Sequence, residues 1–181
     1  MSKYLLALLF VAQGAFAQNL DGTWVKDCTK DPHGGSLLQS VVIQGQHLDF
    51  SMIHHADANC KAELFRFSWS ADFVLSKPIA DSVYEIDFTL LALNAVFADA
   101  QAAAQFSSPQ IQFCGYTDWK VGEVKNVAGR VCSGNQLANI GYKAFNTIRV
   151  EPGYIAIDFN GSLPEIAKRP AGDWSSIFVR Q

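Results

Sequence analysis

The sequence predicts a mainly all-β domain: an eight-stranded antiparallel barrel with a short helix and a disulfide-stapled insertion between strands 5 and 6. Three observations predict it. Apolar and polar residues alternate with a period of two through eight runs separated by turn residues. That alternation lapses once, between the fifth and sixth runs. Four cysteines, an even number, fall at positions 28, 60, 114 and 132. Eight antiparallel strands with one apolar face can close on themselves and lose their exposed edges, which leaves an interior about wide enough for side chains or one small ligand. A two-sheet sandwich is the alternative, and periodicity does not separate the two.

The first run is Leu20 to Asp27 and the second Ser36 to Ile43, entered through Asp31-Pro32-His33-Gly34-Gly35. Gln44-Gly45-Gln46 turns the chain into a third, in which Leu48, Phe50 and Met52 alternate with Asp49, Ser51 and Ile53. Ala62 to Leu75 is the clearest: Phe65, Phe67, Trp69, Ala71 and Phe73 share one face, and Arg66, Ser68, Ser70 and Asp72 the other. At ~3.3 Å per residue it would reach ~45 Å, so a bend or bulge is expected midway. Lys77-Pro78 is expected to end it. Val83 to Leu93 follows, with Tyr84, Ile86 and Phe88 against Glu85, Asp87 and Thr89. Ala95 to Phe106 is rich in Ala without alternation and predicts the helix. Ser107 to Asn139 reads as the irregular insertion. Tyr142 to Val150, a turn at Glu151-Pro152-Gly153, Tyr154 to Phe159 and Asp173 to Arg180 complete the set.

Ahead of these runs, Lys3 supplies a positive start, Tyr4 to Gly14 an apolar stretch, and Ala15-Phe16-Ala17 an A-x-A cleavage site. Residues 1–17 therefore read as a signal peptide, too short to span a membrane as an anchor. Residues 18–181 read as one domain that is exported, periplasmic or extracellular, with no integral membrane segment after cleavage. The formal charge of the chain is −3 with no Lys/Arg run, which argues against nucleic acid as a partner. In an exported chain the four cysteines read as disulfides. Three pairings are formally open, and Cys28–Cys60 with Cys114–Cys132 is favoured because each stays within one region. A four-Cys zinc site is the rival, but no C-x-x-C pair occurs.

Leu20-Asp21-Gly22-Thr23-Trp24 resembles the G-x-W element that opens lipocalins, whose Trp plugs the closed end of the barrel, and Arg180 is placed to pack on Trp24 as an Arg does there. Thr117-Asp118-Trp119 is similar to the lipocalin T-D-Y element but lies inside the insertion, well before the last strands. A wider pattern runs through Gly22-Thr23-Trp24, Cys28, Asp57 and Cys60 ahead of the long strand, Cys114-Gly115 with Trp119 and Gly122, and Cys132. It resembles the domain of the adenomatosis-polyposis-coli down-regulated family, extracellular Wnt antagonists that are lipid-binding β-barrels. The resemblance implies an apolar interior that accepts an acyl chain or similar molecule. It does not imply Wnt binding: animal members carry two such domains and a membrane anchor, and this chain has room for one domain.

Phe65, Phe67, Trp69, Phe73, Tyr84 and Phe88 form the richest aromatic stripe. They are candidate ligand-binding residues, with ordinary core as the alternative. His54 and His55 end the third strand near Asp57, with His47 at its start, but adjacent strand residues point to opposite faces, so no metal site is expected. Lys120, Lys125 and Arg130 beside Trp119 make a local basic patch that could meet an anionic head group. Asn160-Gly161-Ser162 fits an N-glycosylation acceptor or a hairpin turn. G-x-S-x-G, Walker and dinucleotide patterns do not occur, and Glu85 and Asp87 read as solvated, so neither an enzyme nor a cofactor is expected. The expected function is holding a small hydrophobic ligand or lipid. The alternative is a module that binds a protein partner, or inhibits it, through residues 107–139.

Overall fold

The alternating runs form strands. The computed structural model describes residues 19–32, 34–157 and 176–181. The barrel strands are β1 (Gly22–Lys30), β2 (Ser36–Gln44), β3 (His47–His55), β4 (Glu63–Ala80), β5 (Val83–Phe97), β9 (Lys143–Glu151), β10 (Tyr154–Ile157) and β11 (Ile177–Arg180). Between β5 and β9 lie α1 (Ala100–Phe106), a 3-10 turn (Phe113–Gly115), and the two-residue strands β6 (Lys125–Asn126), β7 (Val131–Cys132) and β8 (Asn135–Gln136). Barrel neighbours pair antiparallel in the order β4-β3-β2-β1-β11-β10-β9-β5, and β5 pairs back onto β4. That last pairing closes the eight strands and excludes the sandwich. Residues 1–17, His33, Phe159, Asn160-Gly161-Ser162 and the start of the last predicted run at Asp173 lie outside the described residues.

Inward positions are apolar: Trp24 on β1, Val41 and Ile43 on β2, Leu48 and Phe50 on β3, Ala71 and Phe73 on β4, Ile86 and Phe88 on β5, Ile148 on β9, Ile155 on β10 and Phe178 on β11. Asp49, Ser51, Ser68, Ser70 and Asp72 alternate with them on the outer face of β3 and β4. This is the reverse of the apolar-outward alternation of an outer-membrane barrel.

Two strands, β5 and β4, run past their predicted limits. On β5, Ile86, Phe88 and Leu90 face inward, but Ser70 pairs with Ala92 and Ala71 with Leu90, so Leu91 is an extra residue that bulges outward. Beyond it the parity flips, and Leu93, Ala95 and Phe97 face inward. The lapse of alternation that predicts a helix from Ala95 is this bulge. The strand continues to Phe97, and the helix is only Ala100–Phe106, capped by the Asp99 carboxylate, which accepts from the Ala102 amide at 2.8 Å. The long fourth strand runs past Lys77-Pro78 to Ala80, with register shifts on both sides of Pro78, where a missing N–H is tolerated. The bulge expected midway along it sits on its partner β5.

The closed end is built by the first residues of β1. Trp24 is buried, and its indole Nε1 donates to Leu20 O at 2.9 Å. The Arg180 guanidinium lies 5.2 Å from the Trp24 ring centre and donates to Asp21 O. Gly22 has φ +142°, and a Cβ there would stand 3.2 Å from Arg180 Nε. The glycine thus lets the arginine cross the strand.

Both favoured disulfides are present. Cys28–Cys60 joins β1 to the β3–β4 connection, and Cys114–Cys132 joins the 3-10 turn to β7. In the first connection the Asp57 carboxylate accepts from the amides of Asn59 (2.6 Å), Lys61 (3.1 Å) and Ala62, while Ser36 Oγ donates to Asp57 O at 2.6 Å. The Asn59 amide, then that of Ala62, holds the Asp57 carboxyl below the usual carboxylate range. A folded-state pKa below the unfolded value gives stability that is present above pH ~4 and lost as pH falls through the folded value. A carbon-13 NMR titration should therefore place the Asp57 midpoint below ~3.9. Asp57→Asn should remove that segment of the stability–pH curve, and a midpoint at or above the reference value contradicts the capping.

Candidate functional site

Two apolar cores meet at one side chain. The first fills the closed end around Trp24, Ile43, Phe73, Ile86 and Phe178. The second lies over the other end, where α1, the 3-10 turn and β6–β8 form a cap on the extension of β5. Phe97 is its centre, 4.9 Å from Trp119, 5.1 Å from Phe106 and 5.2 Å from Phe65 between ring centres. Trp69 packs against both cores, stacked on Phe50 at 5.4 Å and edge-on to Phe88 at 5.8 Å.

Beside Trp69 the barrel and cap leave a cavity of about 390 Å³. Phe67, Trp69 and Ala71 of β4 and Phe88, Leu90 and Leu93 of β5 make one side. Tyr142 and the β9 residues Ala144 and Asn146 make another, and the cap adds Leu137 and Ala138. The wall is apolar apart from the Tyr142 hydroxyl and the Asn146 amide, the latter fully buried. The volume falls at the lower end of the ~300–1,000 Å³ of small-molecule sites. The β5 bulge brings both Leu90 and Leu93 to the cavity wall, because it lets the two face inward.

Of the six aromatic candidates, Phe67, Trp69 and Phe88 line this cavity. Phe65 packs into the cap core, stacked on Phe97 and edge-on to Phe113 at 5.5 Å. Phe73 and Tyr84 belong to the closed-end core. Leu90 and Leu93 were visible in the sequence only as strand residues. Leu137 and Ala138 carry no periodic pattern, so only the folded cap brings them to the cavity, whereas Tyr142 was visible only as the start of the sixth run.

The other polar candidates are engaged elsewhere. Lys125 is buried under Tyr116 and Trp119, with Nζ 2.6 Å from Asp118 Oδ1. Burial opposes its charge, but the Asp118 hydrogen bond and charge outweigh burial and raise its pKa. Arg130 lies 3.9 Å over the Tyr116 ring and donates to Cys114 O. The basic patch is thus taken up in holding the cap together, with Lys120 left exposed.

His54 and His55 do face opposite sides. His54 pairs with Asp31 at 3.0 Å and stacks on Phe65, whereas His55 is buried on the other face. On the surface, the hydrogen bond that His47 Nδ1 donates to the Asp72 carboxylate raises the His47 pKa against slight burial, with Asp49 adding to it. Among the described residues no three His, Cys, Asp or Glu side chains are grouped as metal ligands. No protein-family model matches the chain, and no curated protein matches it.

Proposed function

We propose that the protein is an exported, lipocalin-like carrier that holds a small hydrophobic or acyl-chain ligand in its barrel, in a periplasmic or extracellular setting. The observation that carries this reading is the apolar cavity of about 390 Å³ between barrel and cap. A barrel meant only as a scaffold fills such a space with side chains. Two disulfides fit an oxidising compartment. The likeness to the adenomatosis-polyposis-coli down-regulated domain lends support where its residues have structural work: Gly22 and Trp24 close the barrel, Asp57 and Cys60 fasten the β3–β4 connection, and Cys114, Trp119 and Cys132 hold the cap. Those positions build the container rather than any surface for a Wnt protein.

Native mass spectrometry and organic extraction of the purified protein test the reading. A co-purifying lipid, or saturable uptake of a fluorescent fatty acid, is expected. An empty barrel that also ignores the probe overturns it.

A second reading has its own observation. Ile111, Val121, Val124 and Val131, all in the insertion, are exposed apolar side chains. Such residues on one segment suit a protein-binding or inhibitory loop. Val121→Ser with Val124→Ser should abolish partner capture and spare fatty-acid uptake if this reading holds, and leave capture intact if it does not.

A further inference from the structure

The two disulfides sit in opposite surroundings. Cys114 and Cys132 are 1% and 6% exposed, packed in the cap core with Phe113 and Trp119. Cys28 is exposed near the end of β1, and Cys60 is half-buried in the β3–β4 connection, where Ala58, Asn59, Lys61 and Ala62 are exposed around it. One cysteine of each bridge has a left-handed backbone, Cys60 with φ +55° and Cys114 with φ +52°, so backbone strain does not separate the two. Access does. Thiol–disulfide exchange needs a thiolate to reach one of the sulfurs, and exposed bridges are the ones that open readily.

The exposed bridge also has a place for the leaving sulfur. Ser36 is 1% exposed, and its Oγ lies 3.2 Å from Cys60 Sγ. The same hydroxyl accepts from the Cys60 amide at 3.1 Å and donates to Asp57 O at 2.6 Å. Turning the hydroxyl hydrogen away from Asp57 O aims it at Cys60 Sγ, where it stabilises a thiolate as one forms. The connection is held by bonds that do not need the bridge. The Asp57 carboxylate accepts from three of its amides, and the Ala56 amide donates to Ala62 O at 2.8 Å. Ser36 ties Asp57 and Cys60 to β2, which pairs with β1. Cys60 therefore stays within reach of Cys28 when the sulfur–sulfur bond is open.

We infer that Cys28–Cys60 is an exchangeable bridge, opened and remade by a partner dithiol, whereas Cys114–Cys132 is a fixed staple. A partner thiolate attacks the exposed Cys28 Sγ. The bond between the two sulfurs breaks, and its electron pair leaves on Cys60 Sγ beside the Ser36 hydroxyl. The partner's second thiolate then attacks the partner's own sulfur in the mixed disulfide, and Cys28 leaves as a thiolate. The partner ends as a disulfide and this chain is reduced by two electrons. The two protons given up by the partner's thiols pass to Cys28 and Cys60. The partner's disulfide form remakes the bridge by the same steps in reverse.

Exchange kinetics of the full chain test this. With dithiothreitol as the dithiol, samples are blocked with iodoacetamide at intervals and the four cysteines are read by peptide mass spectrometry. Cys28 and Cys60 are expected to be alkylated at least about ten-fold faster than Cys114 and Cys132, because only the buried pair must wait for the protein to open. Urea below the unfolding transition should speed the second pair and leave the first unchanged. Reduced glutathione, a monothiol, should be caught on Cys28, and oxidised glutathione should remake the bridge. Equal rates, a faster Cys114–Cys132, or a Cys28–Cys60 rate that climbs with urea in step with the other overturns the inference. So does a bridge that does not close again, or glutathione caught on Cys60. Ser36→Ala should slow the opening, whereas a hydroxyl that only pins the connection would speed it when removed. The position of the trapped glutathione in the unaltered protein decides the order of attack whether or not that variant folds.

Discussion

Trp69→Ala is expected to lower stability by about 3 kcal/mol and the melting temperature by about 6–12 °C, and to abolish uptake of a fatty-acid probe. The indole is only partly buried, which keeps the loss at the low end for a large aromatic, but it belongs to both cores and lines the cavity. Its removal takes away the stacking on Phe50 and the edge contact with Phe88, and it opens the barrel interior to the cap. Stability and binding must be separated, and Leu137→Trp does so. Leu137 reaches the cavity from the cap, so a larger side chain grows into empty space and should block uptake at a stability change below about 1.5 kcal/mol. Urea unfolding and probe titration of the two variants decide the matter. If Trp69→Ala costs less than about 1 kcal/mol, or Leu137→Trp binds normally, the cavity is not the site.

The second large effect is expected at the cap. Replacing Cys114 and Cys132 together by alanine removes a staple across a separation of 18 residues. Loops of this size give about 3 kcal/mol through the entropy of the unfolded chain. Both cysteines are buried in the cap core beside Phe113 and Trp119, so the loss should be local before it is global. The far-ultraviolet spectrum of the barrel should persist, tryptophan emission should shift to the red as Trp119 meets water, and limited proteolysis should cut within residues 107–139. A cap as resistant to protease as that of the unaltered protein would contradict a disulfide-held cap. Removing Cys28 and Cys60 in the same way should loosen the β3–β4 connection instead, leaving Trp119 emission unchanged.

The faces of β3 and β4 were legible almost residue by residue, because each strand stands between solvent and core and so alternates strictly. β4 is the best case, with Phe65 to Phe73 on one face and Arg66 to Asp72 on the other. Where legibility failed, the cause was local. Leu91 inserts one residue into β5, and a single extra residue inverts the pattern, so a strand that continues looks from its sequence like a strand that ends. Pro78 looked like a stop but sits between two register shifts, where an irregular ladder tolerates its missing N–H. Half of the aromatic stripe lines the cavity, and the rest divides between the cores above and below it, since a stripe records a face and not a height along the barrel axis.

By itself the sequence determined the antiparallel all-β class and the inward and outward faces of its clearest strands, and it pointed to the plug of Trp24 with Arg180 and to two cysteine pairs each local to its region. The class and the faces follow from period and residue type, which act over a few positions; the plug of Trp24 with Arg180 came through the resemblance to lipocalins, and the cysteine pairing was the favoured one of three. Tertiary structure decided the closure of β4 onto β5, the gathering of Leu137, Ala138 and Tyr142 around the same cavity as Trp69, and the burial of Lys125. Each depends on register between segments far apart in the chain. Register is set by long-range pairing and by bulges, and a pattern within one segment does not carry it.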